Sequence, residues 1–131
     1  MPSPDDAFQY AIWRVVPSVE RGEALNVGIV VYCRRRQFLA ARVLVDEDRL
    51  HALSADLDVE AIRHHLDGMV HVAAGDPEGG AISQLPQSDR FGWLTATSST
   101  TIQPSPIHTG LCDDPQAVLD RLYTRLVAAA G

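Results

Sequence analysis

The residues that could do chemistry fall in two polar stretches that lie far apart in the sequence. The first is the turn that holds Arg21, Glu23 and Asn26, directly before an apolar run. In one interpretation Glu23 orients Arg21, and Asn26 binds a ligand at the edge of a sheet. In the other, Gly22 supplies the bend, and the same polar side chains satisfy backbone groups where a strand begins. The residue types alone leave both interpretations open.

The second stretch runs from 98 to 110 and carries a row of hydroxyl side chains. Its candidate ligand-binding residues are Ser98, Thr101, Ser105 and His108. Hydroxyls and backbone amides can bind phosphate, but they can equally cap backbone groups in a long ordered loop. Ser105 and His108 have the chemistry of a nucleophile and a base, yet no nucleophile-elbow motif accompanies them. The stretch is therefore either a binding loop or a structural one.

Three consecutive arginines, Arg34, Arg35 and Arg36, occupy a tight reversal between two predicted strands. Such a hairpin tip could bind a phosphate or an acidic protein partner, although charged tips commonly do no more than keep a turn solvated. Because the tip is predicted to be exposed, its replacement by serine is expected to leave the fold intact.

The sequence predicts no metal site and no cofactor. The histidines His64, His65 and His71 lie beside the apolar stripe of one helix, and no HExxH motif is present. The chain has no lysine, so neither a Schiff base nor a Walker-type phosphate loop can form. Cys33 and Cys112 are expected to be free thiols, because they lack CxxC spacing and no export signal is evident.

The elements that must position these residues begin with an apolar run from 25 to 33. Its β-branched residues predict a buried strand covered on both faces. Strands are also predicted at 8–16 and 38–45, and the three strands together form a meander. A fourth strand near Trp93 is one interpretation of the stretch 90–97, and a short helix is the other.

Three aspartates predict where helices begin: Asp46, Asp58 and Asp114. The fold class that follows is α+β, with an antiparallel meander of three to four strands. One face of the sheet is expected to pack against two main helices, 59–73 and 115–128. A single domain is predicted at 8–131, after a flexible lead-in at 1–7.

The composition excludes several classes of protein. The chain has 131 residues and a formal net charge of −6, which argues against general binding to nucleic acids or to anionic membranes. No apolar run approaches the roughly 20 residues that a membrane span needs. The first residues lack the apolar segment of a secretory signal, so we expect a cytoplasmic protein.

Two motifs carry a resemblance to a known family. The first is YAIWRVVP at 10–17, followed by RGEALNVG at 21–28. The second is RFGWL at 90–94, followed by SSTTIQPSPIHTG at 98–110. With both motifs in this order, the chain resembles the DUF3037 family of uncharacterised small bacterial proteins from about Phe8 to Val127.

The resemblance implies no established activity. It does imply a companion of kinases of the HipA-like, persistence-toxin type, which makes the chain a candidate accessory protein. Two functions stay open. One is a non-enzymatic binding protein that meets a kinase-like partner through an exposed surface, and a homo-oligomer is compatible with it. The other is a small enzyme or a nucleotide- or phosphate-binding module that uses the 21–26 turn and the 98–110 loop.

The two functions make different demands on the fold. An enzyme needs one pocket that gathers Arg21, Glu23, Arg90 and His108, whereas a binding protein needs an exposed apolar patch. The binding protein is favoured because the sequence offers few residues that could act in catalysis. We also expect the two polar stretches to touch, with Glu23 or Asn26 within hydrogen-bond reach of 98–108.

Overall fold

The structure is a computed structural model that describes residues 6–96 and 101–129. In chain order the strands and helices are β1 Asp6–Val15, β2 Leu25–Cys33, β3 Phe38–Val43, α1 Glu47–Leu53, α2 Val59–Ala74, α3 Gln87–Leu94, β4 Ile102–Pro104, β5 His108–Cys112 and α4 Pro115–Tyr123. Two short 3-10 turns, Pro77–Gly79 and Ala81–Gln84, connect α2 to α3. A π-helical turn, Thr124–Ala128, extends α4.

The five strands form one antiparallel sheet, which confirms the α+β class. β2 lies between β3 and β1, so the first three strands are the predicted meander. The other edge of β1 pairs with two short strands. β4 pairs with the end of β1 at Trp13 to Val15, and β5 pairs with the beginning, from Asp6 to Tyr10. These two strands act as the two halves of one interrupted outer strand.

A β-bulge near the start of β2 reverses the alternation of its side chains. Trp13 pairs with Gly28 but Arg14 pairs with Asn26, so Val27 is the extra residue. Val27 and Leu25 consequently pack in the same core cluster as Val30. Asn26 points towards the opposite face of the sheet, where its side chain meets the end of the α4 segment.

The two main helices cover opposite faces of the sheet, so the prediction that both pack on one face was wrong. α2 packs on the face that carries Trp13 and Val30. α4 packs on the face that carries Phe8, Ile29 and Val31. The physical reason lies in β2, whose side chains are apolar on both faces, because each apolar face needs its own covering layer.

Each of the three predicted aspartate caps is confirmed. Asp46 accepts a hydrogen bond from the backbone N–H of Arg49 at 3.1 Å. The carboxylates of Asp58 and Asp114 accept from first-turn amides of α2 and α4 in the same way. Short polar side chains before an apolar stripe thus predicted these helix starts correctly.

The boundaries of other elements differ from the predictions. β1 begins at Asp6 rather than residue 8, and β3 ends at Val43 rather than residue 45. Residues 1–5 of the predicted lead-in lie outside the described residues. The stretch around Trp93 is the helix α3, because Phe91 and Leu94 are buried on one side while Trp93 is exposed on the other. Within the part of the chain that is described, no helix is long and apolar enough to span a membrane.

Candidate functional site

The two sequence motifs meet at the side chain of Trp13, which is fully buried in the core. Its indole Nε1 donates a hydrogen bond of 3.0 Å to the carbonyl oxygen of Leu94, at the end of α3. A Cβ added to Gly28 would lie 2.8 Å from Cε3 of the same indole. The glycine therefore leaves room for the ring, and the ring connects β2 to α3. This close approach explains a glycine inside a strand.

Arg90 is a structural residue in this arrangement rather than an exposed ligand. Its side chain is buried, and Nη1 donates to the carbonyl oxygens of Val72 and Ala73 at 3.0 and 2.9 Å. Nε donates to the carbonyl oxygen of Leu85 at 2.9 Å. These carbonyls include the last turn of α2, where a cation also complements the helix dipole. Arg90 therefore holds the loop after α2 and the end of that helix together.

Ser105 completes the hydrogen-bond ladder of β1 at the break between β4 and β5. Its hydroxyl accepts from the backbone N–H of Ile12 at 2.9 Å, and its own N–H donates to the Ile12 carbonyl oxygen at 2.7 Å. The hydroxyl donates to the carbonyl oxygen of Pro106 at 2.9 Å. His108 is exposed and stacks on Tyr10, with ring centroids 5.1 Å apart. Ser105 and His108 therefore do not form a nucleophile and base pair.

The polar turn before β2 is organised as the structural interpretation expects. Arg21 Nη2 lies 3.0 Å from Glu23 Oε1 in an exposed ion pair. The Asn26 amide donates to the carbonyl oxygen of Leu126 at 2.9 Å, so it anchors the segment after α4. Neither Glu23 nor Asn26 forms a hydrogen bond with residues 101–108, so the predicted contact was wrong for that part of the stretch, and 98–100 lie outside the described residues. β1 lies between the two stretches, because Arg14 pairs with Asn26 on one side and with Gln103 on the other.

Two further candidates in the second stretch have different outcomes. Ser98 lies outside the described residues. Thr101 is exposed, and its carbonyl oxygen accepts from the backbone N–H of Val16 at 2.8 Å. The structure does not bring Arg21, Glu23, Arg90 and His108 into one pocket, because Arg90 is buried between α2 and α3 while the others are exposed elsewhere.

The three arginines of the hairpin tip differ in their ion pairs with Asp6. Arg36 Nε lies 2.6 Å from Oδ2 of Asp6, a buried carboxylate, and this hydrogen bond raises the pKa of the Arg36 guanidinium. Arg35 lies 3.7 Å from Oδ1 of the same carboxylate. Arg34 is exposed and has no ion pair with any described residue. Only Arg34 is therefore fully available to a ligand or partner.

Two thiols are buried close to this ion pair. Cys33 and Cys112 are both free, and Cys33 Sγ lies 3.5 Å from the carbonyl oxygen of Ala7. Burial raises the pKa of the Cys112 thiol, and the nearby Cys33 adds to that shift. Both side chains pack in the apolar cluster that α4 covers, so these cysteines contribute to the core.

Among the described residues, no group of three or more histidine, cysteine, aspartate or glutamate side chains is arranged so that it could hold a metal ion. His71 is half-buried, and it lies 3.1 Å from Asp76 and 3.4 Å from Glu78. The backbone N–H of Glu78, and then His71, lower the pKa of the Asp76 carboxyl. This small cluster of polar side chains closes the turn after α2.

A family model described as "Protein of unknown function (DUF3037)" matches residues 10–127. The chain belongs to this family. No curated protein and no solved structure matches the chain.

Two of the open grooves that the described residues of this DUF3037 protein form bear on ligand binding. One, of about 560 Å³, runs along Leu25, Asn26 and Arg49 to the end of the α4 segment. Its polar groups are engaged, because Arg49 donates to the carbonyl oxygens of Val127 and Ala129 at 3.2 and 3.3 Å. The other groove, of about 510 Å³, lies between the β2–β3 hairpin and the start of α3.

Sequence reasoning missed two features that this DUF3037 structure makes visible. The first is the outer edge of β5, where Leu111 is 65% exposed and the preceding Ile107 is 45% exposed. An uncharged strand preceded by an apolar residue was the available signal. The second is the groove beside the hairpin, which is lined by Tyr32, Arg34, Gln37, Pro86, Gln87 and Ser88. Its signal was the proline before Gln87, which is typical of a helix start.

Proposed function

We propose that this DUF3037 protein is a non-enzymatic accessory protein that binds a protein partner through the outer edge of β5. The partner we propose is a kinase of the HipA-like type, on the strength of the family resemblance. The binding surface is argued from the residues of β5 and its flanks, and the two parts of the proposal can fail separately.

The observation that carries the proposal is an unprotected sheet edge. β5 pairs with β1 on one side, and no strand among the described residues pairs with its other side. Its sequence HTGLC contains no arginine, aspartate or glutamate, although charged side chains commonly protect exposed strand edges from other chains. Free backbone groups beside exposed apolar side chains suit the addition of an extended strand from a partner.

The opposite edge of the sheet offers a contrast. β3 carries Arg42, whose guanidinium lies 3.2 Å from Asp120 and 3.9 Å from the centroid of the Tyr123 ring. A charged side chain that packs across to α4 makes that edge a poorer template for strand addition. The two edges therefore differ in chemistry, and β5 is the one suited to binding.

The engagement of the motif side chains also supports a binding protein. Arg90, Ser105 and Asn26 all donate to or accept from backbone groups inside the fold. They stabilise the sheet and its helices, which leaves the exposed apolar residues as the features that the fold itself does not use. A protein partner would bury them.

The test is co-purification from the native host with Leu111→Glu as the disrupting variant. Leu111 is exposed, so the substitution should leave the fold intact while it places a charge on the docking edge. Val19→Glu is the matched control, because Val19 is 72% exposed but lies in the turn after β1. We expect the wild type and Val19→Glu to recover the same partner, and Leu111→Glu to lose it.

Three results would contradict the proposal in different ways. Equal recovery by all three proteins would remove β5 from the interface. A single recovered partner that is not a kinase would reject the kinase and leave the β5 surface in place. Recovery of the chain alone at high yield would count against the accessory role itself.

A further inference from the structure

We propose that the groove between the β2–β3 hairpin and the N-terminus of α3 is a binding site for the phosphate group of a phosphomonoester. This site is separate from the β5 edge. Of the candidate binding residues predicted from the sequence, it contains only Arg34. Its walls are Tyr32 and Arg34 from the hairpin and Gln87 and Ser88 from the helix.

The helix side of the groove offers unpaired backbone donors. Pro86 occupies the cap position of α3, and it provides no side-chain hydrogen bond to the first turn. The first amide of the helix with a partner is that of Arg90, which donates to the Pro86 carbonyl oxygen at 3.0 Å. The N–H groups of Gln87, Ser88 and Asp89 have no acceptor within the described residues. Such a turn favours anions, since its dipole is positive there.

Tyr32 is an independent observation that points to a ligand. The residue is only 7% exposed, and its ring packs against Phe91 with centroids 5.1 Å apart. Its hydroxyl has no hydrogen-bond partner among the described residues, yet it is not among their fully enclosed unpaired atoms. A tyrosine so deeply buried usually has a partner for its hydroxyl. The hydroxyl therefore faces the groove that Tyr32 lines, where it can donate a hydrogen bond to a ligand.

The hairpin side contributes a free positive charge. Arg34 is exposed and forms no ion pair with any described residue, in contrast to Arg36. The hairpin is held against α3 by Gln87, whose side-chain amide donates to the Gln37 carbonyl oxygen at 2.9 Å. The guanidinium and the helix amides therefore border the same groove, and the hydrogen bond between Gln87 and Gln37 limits how far they can separate.

The number of donors favours a phosphate group over a carboxylate. A guanidinium, a phenol and three amides exceed what the two oxygens of a carboxylate usually accept, whereas a phosphate offers three or four oxygens and up to two charges. The groove is larger than a phosphate group, and it is open, so the group that carries the phosphate has room outside the donors. Asp89 opposes the anion, because its carboxylate lies in the same first turn.

The experiment uses the full-length chain labelled with ¹⁵N, at constant ionic strength maintained with chloride. Inorganic phosphate is titrated in one arm, and a phosphoserine peptide with its unphosphorylated form is titrated in the other. We expect the amide signals of Gln87, Ser88 and Asp89 to shift in a saturable manner. Tighter binding of the phosphopeptide would point to a phosphorylated protein, and equal binding would point to a small phosphate compound.

Four variants make the test specific. Arg34→Gln should weaken binding about tenfold, since a charge-assisted hydrogen bond is lost, and Arg35→Gln is the control from the same hairpin. Tyr32→Phe should weaken binding a few-fold without a loss of stability, because the hydroxyl has no partner in the fold. Asp89→Asn should strengthen binding. The proposal is overturned if the helix amides do not respond, or if Arg34→Gln and Arg35→Gln behave alike.

Discussion

The indole Nε1 of Trp13 donates a hydrogen bond to the carbonyl oxygen of Leu94, which lies 81 positions further along the chain. This one bond joins the first motif of the sequence to the second. It places a fully buried donor on the last turn of α3, where backbone carbonyls otherwise lack partners inside the helix. The contact between the motifs is thus made in the core, and the polar turn at 21–26 takes no part in it.

Trp13→Phe should lower the free energy of unfolding by about 1–3 kcal/mol, because it leaves a small cavity and strands the Leu94 carbonyl oxygen. Urea denaturation measures the loss. Trp93→Phe is the control, because Trp93 is 46% exposed and should change stability by less than about 0.5 kcal/mol. Equal losses in the two variants would contradict the role given to Trp13.

Two glycine substitutions should have opposite signs. In Gly28→Ala the new Cβ would lie 2.8 Å from Trp13 and 2.9 Å from Val43, so overpacking should cost about 1–3 kcal/mol. In Gly68→Ala nothing lies within 4 Å of the new Cβ, and the position is inside α2. That variant should gain up to about 1 kcal/mol from helix propensity. Thermal unfolding of both variants and of the wild type measures these changes in stability, and a stabilised Gly28→Ala would refute the packing argument.

The hairpin arginines should separate in their effect on stability, contrary to the expectation that the tip can be replaced as a unit. Arg36→Gln removes the closer of the two arginines that face the buried Asp6 carboxylate, so it should lower the urea midpoint. Arg34→Gln removes no ion pair with a described residue and should leave the midpoint unchanged. If both variants unfold at the wild-type midpoint, the Asp6 contact contributes nothing to stability.

The Cys112 thiol should make stability depend on pH in the alkaline range. Its pKa is raised in the folded chain, so the unfolded chain releases this proton first, at a pKa of about 8.5. The stabilisation is therefore complete below that value and is lost as pH rises through the higher folded pKa. The advantage of the wild type over Cys112→Ala should shrink between pH 7 and pH 10 in urea titrations with a reductant. A constant difference would show that the thiol does not titrate in this way.

Local patterns in the sequence predicted most of the fold. The apolar run of β2 predicted a central strand, and Asp46, Asp58 and Asp114 marked helix starts because a cap acts on residues only two or three positions away. The arrangement of α2 and α4 on opposite faces could have been predicted from the sequence, since a strand that is apolar on both sides needs a covering layer on each side. The one-face prediction overlooked that requirement.

The site predictions were less successful because residue type does not reveal a partner. Arg90 and Asn26 have the chemistry of ligand-binding residues, but both donate to backbone carbonyls that are distant in sequence. Tyr32 is the opposite case. Its position in an apolar strand predicts a core residue, but its hydroxyl has no partner in the described chain and is available to a ligand. Such assignments depend on tertiary contacts, which periodicity and spacing do not encode.

The bulge at Val27 has a consequence for the far end of the chain. If β2 kept its regular alternation through Val27, Asn26 would instead face the α2 side of the sheet. Its amide could then not reach the Leu126 carbonyl oxygen, which is 100 positions away in sequence. Loss of the bulge with Val27 retained should therefore release the segment after α4 and bring a polar amide into a hydrophobic layer. The conformation of one residue near the beginning of the chain would thus act on the anchoring of its last helical turn.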